Sequence, residues 1–96
     1  IMTELSYDPD KAKQNELFRG LHFDLVQAFS WDTAWIIEDQ RRDYGEHRFR
    51  AIGLIDMRLH VVVFTPREKR LHIISLRKAN EREIKHFSQQ GRQPAG

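Results

Sequence analysis

Apolar residues recur at helical spacing in the first third of the chain, alternate or run unbroken through the middle, and return to helical spacing near the end. Tyr7–Gly20 is predicted to be a helix with both ends marked. Asp8 suits the N-cap, Pro9 the first helical position and Gly20 the residue just past the end. Ala12, Asn15 and Phe18 then share a face, which sets the Asn15 amide among apolar neighbours, where a structural hydrogen bond is its expected use. Phe23–Phe29 reads as a shorter second helix with Asp24 as its cap and Leu25, Val26, Ala28 and Phe29 packing inward. Trp31 and Trp35 lead into the apolar run Ala34–Ile37 and are expected in the core or against a partner rather than stacked on bases. Glu38–Gly45 is a polar loop carrying Arg41, Arg42, Asp43 and Tyr44.

Three predicted strands follow: Glu46–Ile55, Leu59–Thr65 and Arg70–Arg77. The connections Asp56-Met57-Arg58 and Pro66–Lys69 are short, which calls for an antiparallel meander. Val61–Phe64 is unbroken, so the middle strand is expected to be covered on both faces. Alternation sets Glu46, Arg48 and Arg50 on one face of the first strand and His47, Phe49 and Ala51 on the other. A face that opens acidic and continues basic is either a surface ion pair or a carboxylate base beside a cation. The third strand ends on Arg77 and Lys78 and turns at once into a last helix, from about Asn80 to Gln89. Two cations ahead of free helix amides make a plausible phosphate site; the bland alternative is a strand reaching water. Asn80 and Glu83 have the spacing of a capping box. Ile84 and Phe87 form the apolar seam of this helix, with His86 beside it, and residues 91–96 are expected to fray.

Ninety-six residues suffice for one modest core, so the chain, residues 1–96, is read as a single domain. The absence of cysteine rules out disulfides, thiolate metal sites and a cysteine nucleophile. No apolar run approaches a membrane span and no signal-peptide pattern opens the sequence, so the expected location is the cytoplasm, away from membranes. The net charge of +2 hides a gradient. Residues 1–40 hold three cations (Lys11, Lys13, Arg19) against eight anions, whereas residues 66–96 hold eight cations against three anions (Glu68, Glu81, Glu83). Such asymmetry suits a polyanionic partner on the C-terminal side.

Metal and cofactor chemistry find no support. The histidines at 22, 47, 60, 72 and 86 form no HxH or HxxxH pair, and neither a glycine-rich phosphate loop nor a G-x-S-x-G elbow occurs. Acid–base and cationic groups remain: Glu46, Arg48, Arg67, Arg77, Lys78 and His86. That set permits metal-free cleavage of RNA. A base takes the 2′-OH proton, the oxygen attacks phosphorus in line, cations hold the developing charge and an acid protonates the 5′-oxygen.

Several motifs together resemble the BrnT family of type II toxins, a branch of the RelE-like ribonucleases. YDPDKAKQN (Tyr7–Asn15) is similar to the opening W/Y-D-x-x-K-x-x-x-N, and Gly20 with Phe23 to the following G-V-x-F. EHRFRAIG (Glu46–Gly53) resembles E-x-R-x-x-x-I-G. Leu59–Phe87 resembles L-x-V-V-x-T-x-R followed by R-I-I-S-x-R-K-A-x-x-x-E. The resemblance implies a compact α+β domain with two N-terminal helices and a C-terminal helix packed on a twisted antiparallel sheet. It further implies an endoribonuclease that inhibits translation, needs no cofactor and is silenced by a BrnA-type antitoxin, through which alone operator DNA is bound. Carried over by position, the family's polar residues fall on Lys11, Asn15, Glu46, Arg48, Arg67, Arg77, Lys78 and Glu83. Glu46 is then expected to move the proton, Arg48 and Arg77 to hold phosphate charge, and Arg67, Lys78, Arg50 and Lys11 to bind RNA. Three departures stand out: Phe18-Arg19 where Lys-His is usual, Arg50 where an apolar residue is usual, and Phe87 in place of a tyrosine. The last leaves His86 as the candidate general acid. A catalytically weak or inactive RNA-binding or antitoxin-binding module on the same fold is the competing reading.

Overall fold

The chain makes a strand before its first helix. In the computed structural model, which describes residues 4–40 and 45–90, Glu4–Tyr7 forms the edge strand β1. Four residues are too few to show alternation, so only a distant partner reveals this strand. Residues 41–44 of the polar loop and the tail 91–96, which was expected to fray, lie outside the described residues. Helix α1 (Pro9–Arg19) ends as its chemistry dictates. The Asp8 carboxylate accepts from the Asp10 N–H at 2.9 Å, and Gly20, at φ 70°, donates its N–H to the Glu16 carbonyl. Ala12 and Asn15 are buried, but Phe18 is not: it and Leu17 are 79% and 76% exposed.

Phe23–Ala28 is a 3-10 helix rather than an α-helix. Its cap is His22, whose Nδ1 accepts from the Asp24 N–H at 3.1 Å, while Asp24 itself accepts from the Tyr7 hydroxyl at 2.9 Å. Phe23, Val26 and Phe29 are buried, while Leu25 and Ala28 face outward. After a 3-10 turn at Trp31–Thr33, the apolar run becomes strand β2 (Trp35–Glu38). Strands β3 (Phe49–Ile55), β4 (Arg58–Arg67) and β5 (Arg70–Lys78) form the expected meander, and helix α2 (Glu81–Gln89) closes the described chain.

The five strands lie in the order β1-β5-β4-β3-β2. All neighbours are antiparallel except β1, which runs parallel to β5, so the sheet is mixed rather than purely antiparallel. No hairpin links β1 to β5, and its direction follows from the turn into α1, which packs back across β5. Ala51, Ile55, Val62, Phe64, Ile73 and Leu76 join the residues of α1 and the 3-10 segment in the larger core. Ile52, Val61, Ala79 and Phe87, flanked by Trp35 and Leu59, make a smaller core beneath α2. Neighbouring strand residues Ala51/Ile52 and Val61/Val62 fall into different cores, which defines an α1 face and an α2 face.

Two close approaches hold the larger core. A side chain at Gly53 would bring a Cβ within 2.7 Å of the Phe29 ring, so the ring takes the space that a glycine leaves. Asn15 Nδ2 donates to the carbonyls of Leu21 and Leu76, and its Oδ1 accepts from the Leu76 N–H at 3.2 Å. The amide thus ties α1 to β5 and has the structural use expected of it. No described helix is long and apolar enough to cross a membrane.

Candidate functional site

Among the described residues, helix α2 covers one end of its face of the sheet, over Ile52, Val61 and Ala79. The strand registers arrange the face in rows. Trp35, Ile52, Val61 and Arg77 form the row beneath α2, and Ile37, Arg50, Val63 and Ser75 form the next. Val63 is only half-buried, against the expectation that the middle strand is covered throughout, while Thr65, further along the same face, is buried. Arg48 comes third. Continuing the β3–β4 register sets it across from Thr65, which pairs with His72, which pairs with Ser6. A last row reads Glu46, Arg67, Arg70 and Glu4.

His72 reaches this face through a β-bulge. Val63 pairs with Ser75, but the next residue of β4, Phe64, pairs with Ile73, so Ile74 is an extra residue on β5. One inserted residue reverses the alternation beyond it. Ser75 and Arg77 therefore share a face with His72, although period two counted straight through Leu71–Arg77 would place His72 opposite them. Burial agrees: Leu76 and Ile73 both lie in the larger core, with Leu71 packed on it.

The last two rows carry paired polar groups. Arg67 Nη2 donates to both Glu46 oxygens, at 3.1 and 3.2 Å, so the partner of Glu46 is Arg67 across the strands rather than Arg48 beside it. Arg70 Nε donates to Glu4 at 2.9 Å. Ser6 Oγ lies 2.9 Å from His72 Nδ1. Burial and the charge of Arg67 hold the His72 pKa below its ordinary value of 6.5, against the opposing pull of Glu46 and Asp8. Thr65 Oγ1 donates to the His47 carbonyl at 2.6 Å, which pins the approach to β3, and the His47 ring turns away to Glu38 at 2.7 Å.

At the covered end the cations are already engaged. Both terminal nitrogens of Arg77 donate to Glu83, each at 2.7 Å, and the Glu83 carboxylate also accepts from the Asn80 N–H at 2.9 Å. The Asn80 side chain accepts from the Glu83 N–H, completing the capping box. An anion does sit where Arg77 meets the helix amides, but it is the chain's own carboxylate, and the expected phosphate position is filled. The hydrogen bonds from Arg77 lower the Glu83 pKa despite burial, helped by the Asn80 N–H and the charges of Arg77 and Arg50. Arg50 is half-buried, and its Nε has no hydrogen-bond partner among the described residues.

The remaining candidates are scattered. Lys78 alternates away from Arg77 onto the α1 face. Lys11 is exposed on α1, across the sheet from Arg48 and Arg50. His86 stacks flat on Trp35 with ring centroids 6.1 Å apart, at the covered end. Phe87, standing where a tyrosine is usual, is buried in the smaller core. Glu46 and Arg77 share a face, but three rows separate them, roughly 20 Å along the strands. Glu46, Arg48, Arg50 and Arg67 are brought together, joined by His72 and Ser6, which inspection of the sequence missed. Among the described residues no group of three metal-ligating side chains comes together.

The chain is a small α+β domain with arginines, a carboxylate and an imidazole gathered on one sheet face. The model of the BrnT ribonuclease toxins of type II toxin–antitoxin systems matches residues 7–83, and the chain belongs to that family. The crystal structure of the Brucella abortus ribonuclease toxin BrnT superposes with a TM-score of 0.66 at 24% identity, covering 83% of this chain and 100% of that one. At that identity the likeness speaks for the fold. No curated protein matches the chain significantly.

Proposed function

We propose that the protein is the toxin of a type II toxin–antitoxin pair and acts in the cytoplasm as a metal-independent endoribonuclease that inhibits translation. The observation that carries this reading is the half of the α2 face that no described helix covers, where Arg48 and Arg50 stand beside the Glu46–Arg67 pair. Glu46 takes the 2′-OH proton. The freed oxygen attacks the adjacent phosphorus, the P–O5′ bond breaks, and a 2′,3′-cyclic phosphate remains. Arg48 and Arg50 hold the charge that builds on the phosphoryl oxygens. Arg67 steers Glu46 with one nitrogen and keeps other donors for RNA. Arg77, engaged by Glu83, anchors α2 at the end of the groove. Lys78 and Lys11, on the other side, would touch only RNA that wraps the sheet edge. A BrnA-type antitoxin silences the enzyme by covering this face and carries the contacts to operator DNA.

Incubation of the purified protein with structured RNA in EDTA tests the reading. Cleavage is expected, falling about 100- to 10,000-fold in Glu46→Ala and about 100- to 1,000-fold in Arg48→Ala, with melting temperatures retained. RNA that stays intact yet shifts on a native gel would identify a binding module instead. Cutting that appears only when ribosomes are added would retain the enzyme and make it ribosome-dependent.

A further inference from the structure

The reaction just described has a base and cations but lacks a proton donor for the departing 5′-oxygen. His86, the candidate from sequence, stacks on Trp35 three rows from Glu46. His72 lies on the same open half as Glu46, two strands away, with Arg67 on the strand between them. Strands are spaced about 4.8 Å apart and the two residues lie one row apart, so roughly 12 Å separates the two backbones, enough for a phosphoryl group with its attacking and leaving oxygens in line. Resting on the ribonuclease reading, we propose that His72 is the general acid, giving its Nε2 proton to O5′ as the P–O5′ bond breaks, with Ser6 as its positioning residue.

The 2.9 Å contact between Ser6 Oγ and Nδ1 assigns the roles of the two ring nitrogens. With Nδ1–H donating to the Ser6 oxygen before and after the step, Nε2 is the nitrogen left to face the substrate and carry the mobile proton. The proton leaves Nε2 for O5′ while Glu46 gains the one from the 2′-OH, so the pair ends with acid and base exchanged and no co-reactant needed. Three charged groups of the protein act on the ring. Arg67 on β4 opposes its protonation, Glu46 ahead of β3 and Asp8 after β1 favour it, and a phosphate bound over β4 would favour it further. Arg70 on the same strand is engaged with Glu4.

Cleavage by the wild type should decline on the alkaline side as His72 loses its proton. His72→Asn should lower the rate about 100- to 10,000-fold and remove that alkaline limb, with RNA affinity and melting temperature unchanged. The decisive substrate is RNA with sulfur at the bridging 5′ position, because a thiolate departs without being protonated. His72→Asn should recover most of its lost rate on it and Glu46→Ala should not. Ser6→Ala should displace the alkaline limb without abolishing it, and this decides the matter should His72→Asn fail to fold. An active wild type whose His72→Asn form is equally active, or is not rescued by sulfur, overturns the proposal alone. A wild type that leaves RNA intact both without and with ribosomes overturns the ribonuclease reading and this proposal with it.

Discussion

Glu83 shows how one side chain can close a site that its surroundings advertise. It satisfies Arg77 through two hydrogen bonds and the N-terminal amide of Asn80 through another, with its side chain only 11% exposed. Its folded pKa lies below the ordinary 4.5. The carboxylate therefore contributes its full stabilisation above the unfolded value, and that contribution is lost as pH falls through the lower folded value. Glu83→Gln should cost about 1–3 kcal/mol at neutral pH, because a partly buried guanidinium loses its charged partner. Melting curves measured downward from pH 5 should converge for wild type and variant. Curves that stay parallel would mean that the pair contributes little. Asn15 is a second residue of this kind, with both ends of its amide committed to backbone on either side of it.

Among the elements, those built from local chemistry were legible in the sequence. Asp8, Pro9 and Gly20 bound α1, Asn80 and Glu83 start α2, and short loops tie β3, β4 and β5 into a meander. The edge strands β1 and β2 were not legible, because each is four residues long and exists by pairing with a distant segment. His22 took the capping place expected of Asp24, since Asp24 was drawn to Tyr7 by a contact seventeen positions back in sequence. The Asp56-Met57 turn adds a testable strain. Both residues have positive φ, 48° and 68°, between the paired Ile55 and Arg58, the geometry of a type I′ hairpin that favours glycine at its second position. Met57 is 95% exposed and packs on little. Met57→Gly should therefore stabilise the protein by about 1 kcal/mol, measurable by chemical denaturation. A loss of stability would show that the methionine makes contacts worth more than the strain.

At the scale of the molecule, the unequal cover of the two faces explains why the basic residues matter where they do. The α1 face is closed by α1 and the 3-10 segment, so Lys11 and Lys78 decorate its rim. No described helix covers the other end of the α2 face, and there Arg48, Arg50 and Arg67 gather. Arg48 and Arg50 were legible from alternation along the strand that opens on Glu46, and Arg67 from the family resemblance. Their collection with Ser6 and His72 was not, because it depends on pairing between strands at opposite ends of the chain. RNA affinity should fall steeply with salt, and Arg48→Ala should shallow the slope of log K against log salt by about one. The antitoxin, if it covers the same arginines with acidic residues, should also associate more slowly as salt rises. An antitoxin on-rate indifferent to salt would place its contacts elsewhere.

The extra residue at Ile74 carries a consequence for how such a face can change over time. Which side chains meet the ligand is decided by their pairing with β4 and not by the number of residues along β5. Removing the single codon for Ile74 would leave Ser75 across from Val63 and Ile73 across from Phe64, so the alternation would run regularly and His72 and Arg70 would keep their face. A gene of this kind can gain or lose one codon at that point and keep its chemistry, because the bulge absorbs the change in length.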